Sequence, residues 1–547
     1  MTEDAHGVPE PRGWTWRDRA GGSNRIGRTL EPSIDPDSGV QAFPTVYVPD
    51  RLLVSVDPDR DEAGDESVEI LREVARDLGS DVRVATLDGE QVDGPPPLLV
   101  PPDPQDPEDL GVAGVLRVHL TPSEQAPGGA GVADAWDVLQ AARRRTGTSM
   151  PGVGLEHVLT IDPMGVNPFT VSNPFTVSNP FTVSNPYATD PYAASGQYAL
   201  PGSGGRQPVA RLGAGPVRGE GPGKGERRPV VAVLDTGCGE HEWLPEHIVT
   251  RRLELDGQPI GLTDAADPER FPDMYGQLDG AIDPVAGHGT FIAGVVRQVA
   301  PEADIVSVRT ANALGVVDEG TLLTTVGAVV TLLKRYRTSG GESGTPIDVL
   351  NLSLGYYHET PEDGYYSRRL YDLLSEARKN GCAVVCSAGN DTIDRPSFPA
   401  SLWAWEPDRP DGNGIKPDRD ARHICVGALN PSCSSVALFS NVGDWVQVYA
   451  PGASVVSTTP AFEGGRQADA RDDRYQRRRE TIGPEDYRGT FSLWSGTSFA
   501  APYLAGLIGR ELGFPAAEEN ASHAVAASRA ATDRALRAAD VVDGSAL

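Results

Sequence analysis

The sequence predicts an α/β fold for the second half of the chain, a parallel sheet flanked by helices, with a smaller α+β unit ahead of it. Three observations predict this. From Pro229 onward, strands appear as short, near-continuous apolar runs, the pattern of strands buried on both faces. Helical periodicity alternates with those runs, which implies a parallel sheet wrapped by helices. Between residues 45 and 162 the order of patterns is instead β-α-β-β-α-β.

In that first unit, RLLVSVDP (Arg51 to Pro58) alternates like a strand, and ESVEILREVARDLG (Glu66 to Gly79) carries apolar residues at helical spacing. VRVATLDG (Val82 to Gly89) is a second strand ending on a turn signal, and GVLRVHLTP (Gly114 to Pro122) is a third. A helix over Ala133 to Arg145 and a strand over EHVLTID (Glu156 to Asp162) complete a ferredoxin-like arrangement, one antiparallel sheet made of two split βαβ units. The Pro-rich run Pro95 to Pro107 is a loop. NPFTVS then repeats three times from Asn167 to Ser184, followed by NPY. A Pro in every copy resists a central strand, so the repeat is expected to be a stiffened linker, or else a segment that docks in a groove.

In the α/β part the expected strands are VVAVLD (Val230 to Asp235), DIVSVR (Asp304 to Arg309), DVLNLSL (Asp348 to Leu354), CAVVCSAG (Cys382 to Gly389) and HICVGA (His423 to Ala428). Helices are expected over Thr321 to Tyr336 and Arg368 to Lys379, and a charged surface insertion over Gly464 to Tyr487. The chain thus divides into a mobile arm (1–44), the small α+β unit (45–162), a Pro/Gly/Ser-rich linker (163–228), the α/β domain (229–514) and an Ala-rich tail (515–547).

Composition excludes several function classes. Lys and Arg total 48 against 77 Asp and Glu, a formal charge of -29, which repels phosphate backbones and anionic lipid; neither nucleic acid nor membrane is an expected partner. The longest apolar run, Leu322 to Leu333, is too short to span a bilayer. No signal-peptide pattern is visible, so a cytoplasmic location is expected. Five cysteines are too few for a disulfide scaffold.

Three local motifs carry chemistry. DTG (Asp235 to Gly237) follows a buried strand, at the sheet edge where open α/β folds place their sites. A single DTG rules out the two-carboxylate aspartic protease. GHGTFIAGVV (Gly287 to Val296) puts His288 at a helix start. SGTSFAAP (Ser495 to Pro502) puts Ser498 at or just inside another, where free N–H groups favour developing negative charge, and Pro502 is expected in the first turn. Each alone is most often structural: a turn cap, a buried imidazole, an N-cap. Together they supply an orienting carboxylate, a general base and a nucleophile.

VVAVLDTG, GHGTFIAG and SGTSFAAP resemble the three active-site blocks of the subtilisin-like serine peptidases, and the order Asp235, His288, Ser498 is that family's. NLSLG (Asn351 to Gly355) is similar to the family's substrate strand, which implies peptide binding along Ser353, Leu354 and Gly355. SAGN (Ser387 to Asn390) is similar to the block supplying the oxyanion-hole asparagine, which assigns that role to Asn390 together with the Ser498 backbone N–H. The resemblance implies a serine endopeptidase acting on protein or peptide through an acyl-enzyme, with no cofactor in the chemistry. Structural calcium, frequent in the family, maps onto no residue set here. The small α+β unit resembles the family's inhibitor-like propeptide, which makes the chain's own N-terminal domain an expected intramolecular partner, although the long linker departs from a short processing junction. Two rivals remain. A fold retained for binding without turnover does not require all four polar residues, and an α/β-hydrolase esterase requires a G-x-S-x-G elbow that Ser498 lacks. Around Asp235, Cys238 is expected to be a small buried residue and His241 to face solvent. Cys382 and Cys386, four apart, lack metal-ligand spacing.

Overall fold

The computed structural model describes residues 27–30, 33–34, 41–55, 61–85, 98–101, 103–105, 114–123, 132–148, 150, 152–161, 195–275, 280–359, 368–404, 420–538 and 541–544. The NPFTVS copies lie outside the described residues.

The first unit runs β1 (Thr45–Ser55), α1 (Asp61–Asp77), β2 (Ser80–Ala85), β3 (Val115–Pro122), α2 (Ala135–Thr146) and β4 (Val153–Thr160). Its sheet order is β4-β1-β3-β2, every neighbour antiparallel. The period-2 alternation of β1 sends its side chains to two different cores. Leu52 and Val54 meet Val68, Leu71, Val138 and Leu139 of α1 and α2. Leu53, between them, faces the larger domain.

That domain begins with β5 (Val230–Asp235) and continues through α3 (His288–Val299), β6 (Asp304–Arg309), β7 (Val316–Asp318), α4 (Glu319–Thr338), β8 (Val349–Leu352), α5 (Arg368–Lys379), β9 (Ala383–Ser387), β10 (His423–Leu429) and β11 (Val448–Pro451). Then follow β12 (Val455–Thr458), β13 (Phe491–Trp494), α6 (Thr497–Leu512), α7 (Ala521–Leu536) and β14 (Val542–Asp543). The central sheet is parallel across β6-β5-β8-β9-β10-β11, with Val249–Thr250 at one edge and antiparallel β14 at the other. Alternate residues of β5 again separate two layers. Val231 and Val233 pack with α3 and α6, whereas Val230, Ala232 and Leu234 pack with α4 and α5.

The small unit lies on α4 and α5: Leu53, Val115, Leu159 and Ile161 share a buried cluster with Leu322, Leu323, Val326 and Leu370. β7 extends the small unit's sheet by pairing antiparallel with β4, Val317 opposite Leu159. Arg117, only 1 % exposed, bonds both Glu156 of β4 and Asp318, the N-cap of α4. Asp103 of the Pro-rich loop clasps Arg335 at 2.6 and 2.9 Å.

Three boundaries differ from expectation. Within the arm, Arg28–Leu30 pairs antiparallel with β1 and buries Leu30, because β1 begins six residues earlier than its alternation suggested and offers a free edge. Of the expected linker, residues 195–228 lie on the α/β domain. Gln207–Pro208 pairs with β13, and Arg206 stacks over Trp494 and bonds the carbonyls of Ala286 and Asp283. Beyond a single 3-10 turn at Gly196–Ala199 the glycines and prolines leave no regular helix, and arginine anchors fix the path instead. The expected tail also belongs to the domain: α7 buries Ala524, Ala531 and Ala535, and β14 completes the sheet. An Ala-rich helix has no strong apolar stripe, so its packing left little periodicity to read.

Candidate active site

The site forms where β5, α3 and α6 end or begin, at the C-terminal edge of the sheet. Asp235 is the last residue of β5 and His288 the first of α3. Asp235 Oδ1 stands 2.7 Å from His288 Nδ1, and neither side chain is exposed at all. The Thr236 N–H donates to the same oxygen at 2.8 Å and so fixes the orientation of the carboxylate. With the proton on Nδ1, His288 Nε2 is basic; it is buried and has no hydrogen-bond partner among the described residues. Trp494 meets the imidazole edge-on with centroids 5.6 Å apart, and Phe499 lies tilted at 5.3 Å.

The close approach of α3 to β5 needs glycine. A Cβ at Gly289 would stand 2.0 Å from the Gly237 carbonyl oxygen. Glu269, which the sequence did not single out, fastens the junction. Its carboxyl accepts from Gly289 N–H at 3.0 Å and Thr290 N–H at 3.3 Å, and from the Thr236 and Thr290 hydroxyls. Burial pushes that carboxyl up to about 8, against the opposing pull of its hydroxyl donors.

Ser498 is the second residue of α6, 1 % exposed. Pro502 sits in the second turn, not the first, so it cannot donate the helical hydrogen bond to the Ser498 carbonyl. The Ser353 hydroxyl replaces that donor at 3.0 Å, and Asn351 Nδ2 in turn donates to Ser353 Oγ at 3.0 Å. Ser353 therefore supports the Ser498 backbone, while the Leu354 side chain is buried in the core and Gly355 bridges to Thr160.

Asn390 Oδ1 accepts the Thr497 N–H at 2.8 Å, which locks the amide against the start of α6. The turn before it passes through Gly389 at φ +100°, and a Cβ there would meet Asn441 Nδ2 at 2.5 Å. Asn441, also missed in the sequence, holds this turn. It bonds the Ala388 and Gly389 carbonyls at 2.9 and 3.0 Å and accepts from Asp391 N–H at 3.1 Å. Its only sequence signal was an Asn in a glycine-containing loop, SNVG.

A cavity of about 150 Å³ joins Ser498, Asn390, Leu354 and Gly355 to Val158 and Thr160 of β4. Thr160 N–H donates to Gly355 O at 3.0 Å, and Gly355 N–H returns a bond to Thr160 O at 3.1 Å. On the other side, Ile161 N–H donates to Gly315 O at 2.7 Å. The end of β4 is thus bonded to Gly355 on one side and to Gly315 and β7 on the other.

Of the neighbouring residues, Cys238 is half-buried rather than fully buried, its thiol pushed up to about 12 by desolvation, so it is no ready thiolate. His241 does not face solvent. It is 9 % exposed, takes the Trp243 N–H on Nδ1 at 3.0 Å, and reaches the Thr490 carbonyl with Nε2 at 3.1 Å. Aromatic neighbours Trp243 and Phe491 explain the burial. Cys382 and Cys386 are buried with raised thiols, and among the described residues they belong to no metal-ligand group. Among the described residues no helix is long and apolar enough to cross a membrane.

Comparison with known proteins gives one family match and several relatives. The family model described as the Subtilase family matches residues 226–537. An intracellular serine protease of Paenibacillus polymyxa is 26% identical over 293 residues, covering 51% of this chain and 64% of that protein. The major intracellular serine protease of Bacillus subtilis (strain 168) is 26% identical over 299 residues, covering 51% and 66%. The chain therefore spans just under two thirds of either relative. A crystal structure of a cold adapted subtilisin-like serine proteinase matches at 22% identity and a TM-score of 0.33, covering 52% of this chain and 74% of the other.

Proposed function

The chain belongs to the subtilase family, and on that premise we propose that it is a serine endopeptidase whose N-terminal unit restrains it. The observation that carries the proposal is the fully buried Asp235–His288 pair, whose open Nε2 is the nitrogen a serine mechanism needs. Ser498 shares the head of the adjoining helix α6 with the Asn390 amide.

In this reading a peptide lies against Gly355 and Gly315, taking the backbone bonds that Thr160 and Ile161 now make. Ser498 Oγ attacks the scissile carbonyl as His288 Nε2 takes its proton. Asp235 keeps the ring in the Nδ1–H tautomer and stabilises the imidazolium. The tetrahedral oxyanion sits between the Ser498 N–H, at the positive end of α6, and the Asn390 side-chain amide. His288 returns the proton to the leaving amine, the acyl-enzyme forms, and water hydrolyses it by the same route. The Ser498 hydroxyl does not yet donate to His288, since Nε2 has no partner. Such bonds commonly tighten only when substrate is bound.

The N-terminal unit resembles the family's propeptide in element order and occupies the cleft with β4. Thr160, at the end of β4, lines the same cavity as Ser498, so cutting of the linker that follows in sequence by the chain itself is the corresponding maturation step. The names of the relatives support work inside the cell. The test is intact mass after purification. Wild type will be trimmed and will hydrolyse added peptide, whereas Ser498→Ala will stay whole and inert. Peptide hydrolysis by a wild type that stays whole would leave the peptidase reading and end the self-processing one. No hydrolysis under any condition would end both.

A further inference from the structure

The mechanism makes no use of a buried cluster where β4 crosses the segment that follows the substrate strand. His157 of β4 is 1 % exposed and Glu359 is not exposed at all. His157 Nδ1 lies 2.8 Å from Glu319 Oε2, and Nε2 lies 2.7 Å from Glu359 Oε2. The same Glu359 oxygen is 3.7 Å from His358 Nδ1. Glu359 Oε1 is buried with no hydrogen-bond partner among the described residues. Tyr356 stacks on His157 at 4.6 Å, and Phe398 approaches His358 edge-on at 6.2 Å, so the walls are aromatic.

We propose that His157, His358 and Glu359 form a zinc-class transition-metal site that joins the N-terminal unit to the peptidase domain, with Glu319 orienting His157 from behind. One ligand atom from each of the three residues lies within 4.8 Å of the others. Bound at roughly 2.0–2.1 Å in a tetrahedron, such atoms stand about 3.3 Å apart, so the observed 2.7 and 3.7 Å bracket the need. Small side-chain rotations close the remaining gap. Two imidazole nitrogens and one carboxylate suit Zn²⁺ or its neighbours, whereas calcium and magnesium call for oxygen ligands. The second Glu359 oxygen completes a fourth position. Glu319 accepting from His157 Nδ1–H is the carboxylate partner that metal-bound histidines characteristically have. Without metal, both His157 nitrogens face carboxylate oxygens, so a proton on Nε2 fills the place of the ion. On binding, that proton leaves to solvent. Two guanidinium groups, Arg143 and Arg395, act on His358, and that of Arg395 is engaged with the carbonyls of His358 and Pro44.

The ligands come from both sides of one interface, 201 and 202 residues apart in sequence (358 − 157 and 359 − 157), so the ion would clamp β4 onto the cleft. This consequence rests on the N-terminal unit being a restraint; metal binding itself does not.

The experiment uses the full chain as Ser498→Ala, stripped with chelator and titrated with Co²⁺ and Zn²⁺. The expected result is one ion per chain, tetrahedral Co²⁺ absorption displaced by Zn²⁺, and a raised Tm. His157→Gln and His358→Gln will each abolish the absorption, Glu319→Gln will weaken binding by about 10–100-fold, and His247→Gln, at an exposed histidine, will change nothing. Should His157→Gln fail to fold, His358→Gln decides. Absence of binding, or binding that survives both histidine substitutions, overturns the site. In the active chain Zn²⁺ will slow peptide hydrolysis, and His358→Gln will remove that effect. Zinc binding as expected in a chain that never hydrolyses peptide would leave the site standing and sink the peptidase reading instead.

Discussion

Leu159→Ala will release the N-terminal unit without unfolding it. Leu159 is completely buried, and it belongs to the cluster shared with Leu322, Leu323 and Val326 of α4 rather than to the unit's own core. The loss therefore falls on docking. Truncating a buried leucine to alanine costs about 2–5 kcal/mol, transfer and cavity together. At about 1.4 kcal/mol per tenfold, the undocked population rises by roughly 30- to 4000-fold. The assay pairs initial rates of peptide hydrolysis by the full chain with hydrogen exchange at the Thr160 amide, which reports docking directly. Faster exchange and faster hydrolysis are expected together, while Leu78→Ala, at an exposed site on the far side, moves neither. Faster exchange at an unchanged hydrolysis rate would refute the restraint, because the cleft would then be open whether or not β4 occupies it.

Asp235→Asn will fold and lose about 10⁴-fold in kcat, because the amide favours the wrong imidazole tautomer; a loss under tenfold would remove Asp235 from the mechanism. Asn390→Ala will lower kcat by about 10²–10³-fold with KM little changed, a size established on a subtilisin and carried over. Ser353→Ala leaves the buried Ser498 carbonyl without a donor, since Pro502 supplies none, and will cost about 1–3 kcal/mol in a denaturant titration. His423 is buried beside Cys386 and held down at about 3, so the unfolded chain binds a proton there between pH 3 and about 6.5 that the folded chain refuses. Its contribution is complete above pH 6.5 and lost as pH falls. Tm will drop across that window, and His423→Gln will make the drop shallower.

The legible parts of this molecule were those where neighbours in sequence are neighbours in space. Asp235 follows its strand, and His288 and Ser498 open their helices, so local patterns placed each one. The apolar runs of β5, β6, β8, β9 and β10 were equally plain, since strands buried on both faces carry little else. What escaped depends on distant partners. Glu269 earns its place through Thr236 and Thr290, and Asn441 through a turn some fifty residues earlier. His157 looked like one more strand residue until Glu319 and Glu359 closed on it. Residues 195–228 resembled a linker because their anchors are arginine side chains and a two-residue strand, neither of which has a period. His241 was misjudged for the same reason: a polar residue in a short loop gives no sign that Trp243 and Phe491 will cover it.

The central claim is that Ser498 is a nucleophile activated by His288. An active-site-directed fluorophosphonate, followed by peptide mass spectrometry, tests it most directly. The reagent will attach to Ser498 in the wild type, and Ser498→Ala and His288→Ala, both folded by circular dichroism, will remain unlabelled. Equal labelling of all three chains, or labelling at another serine, would contradict the account.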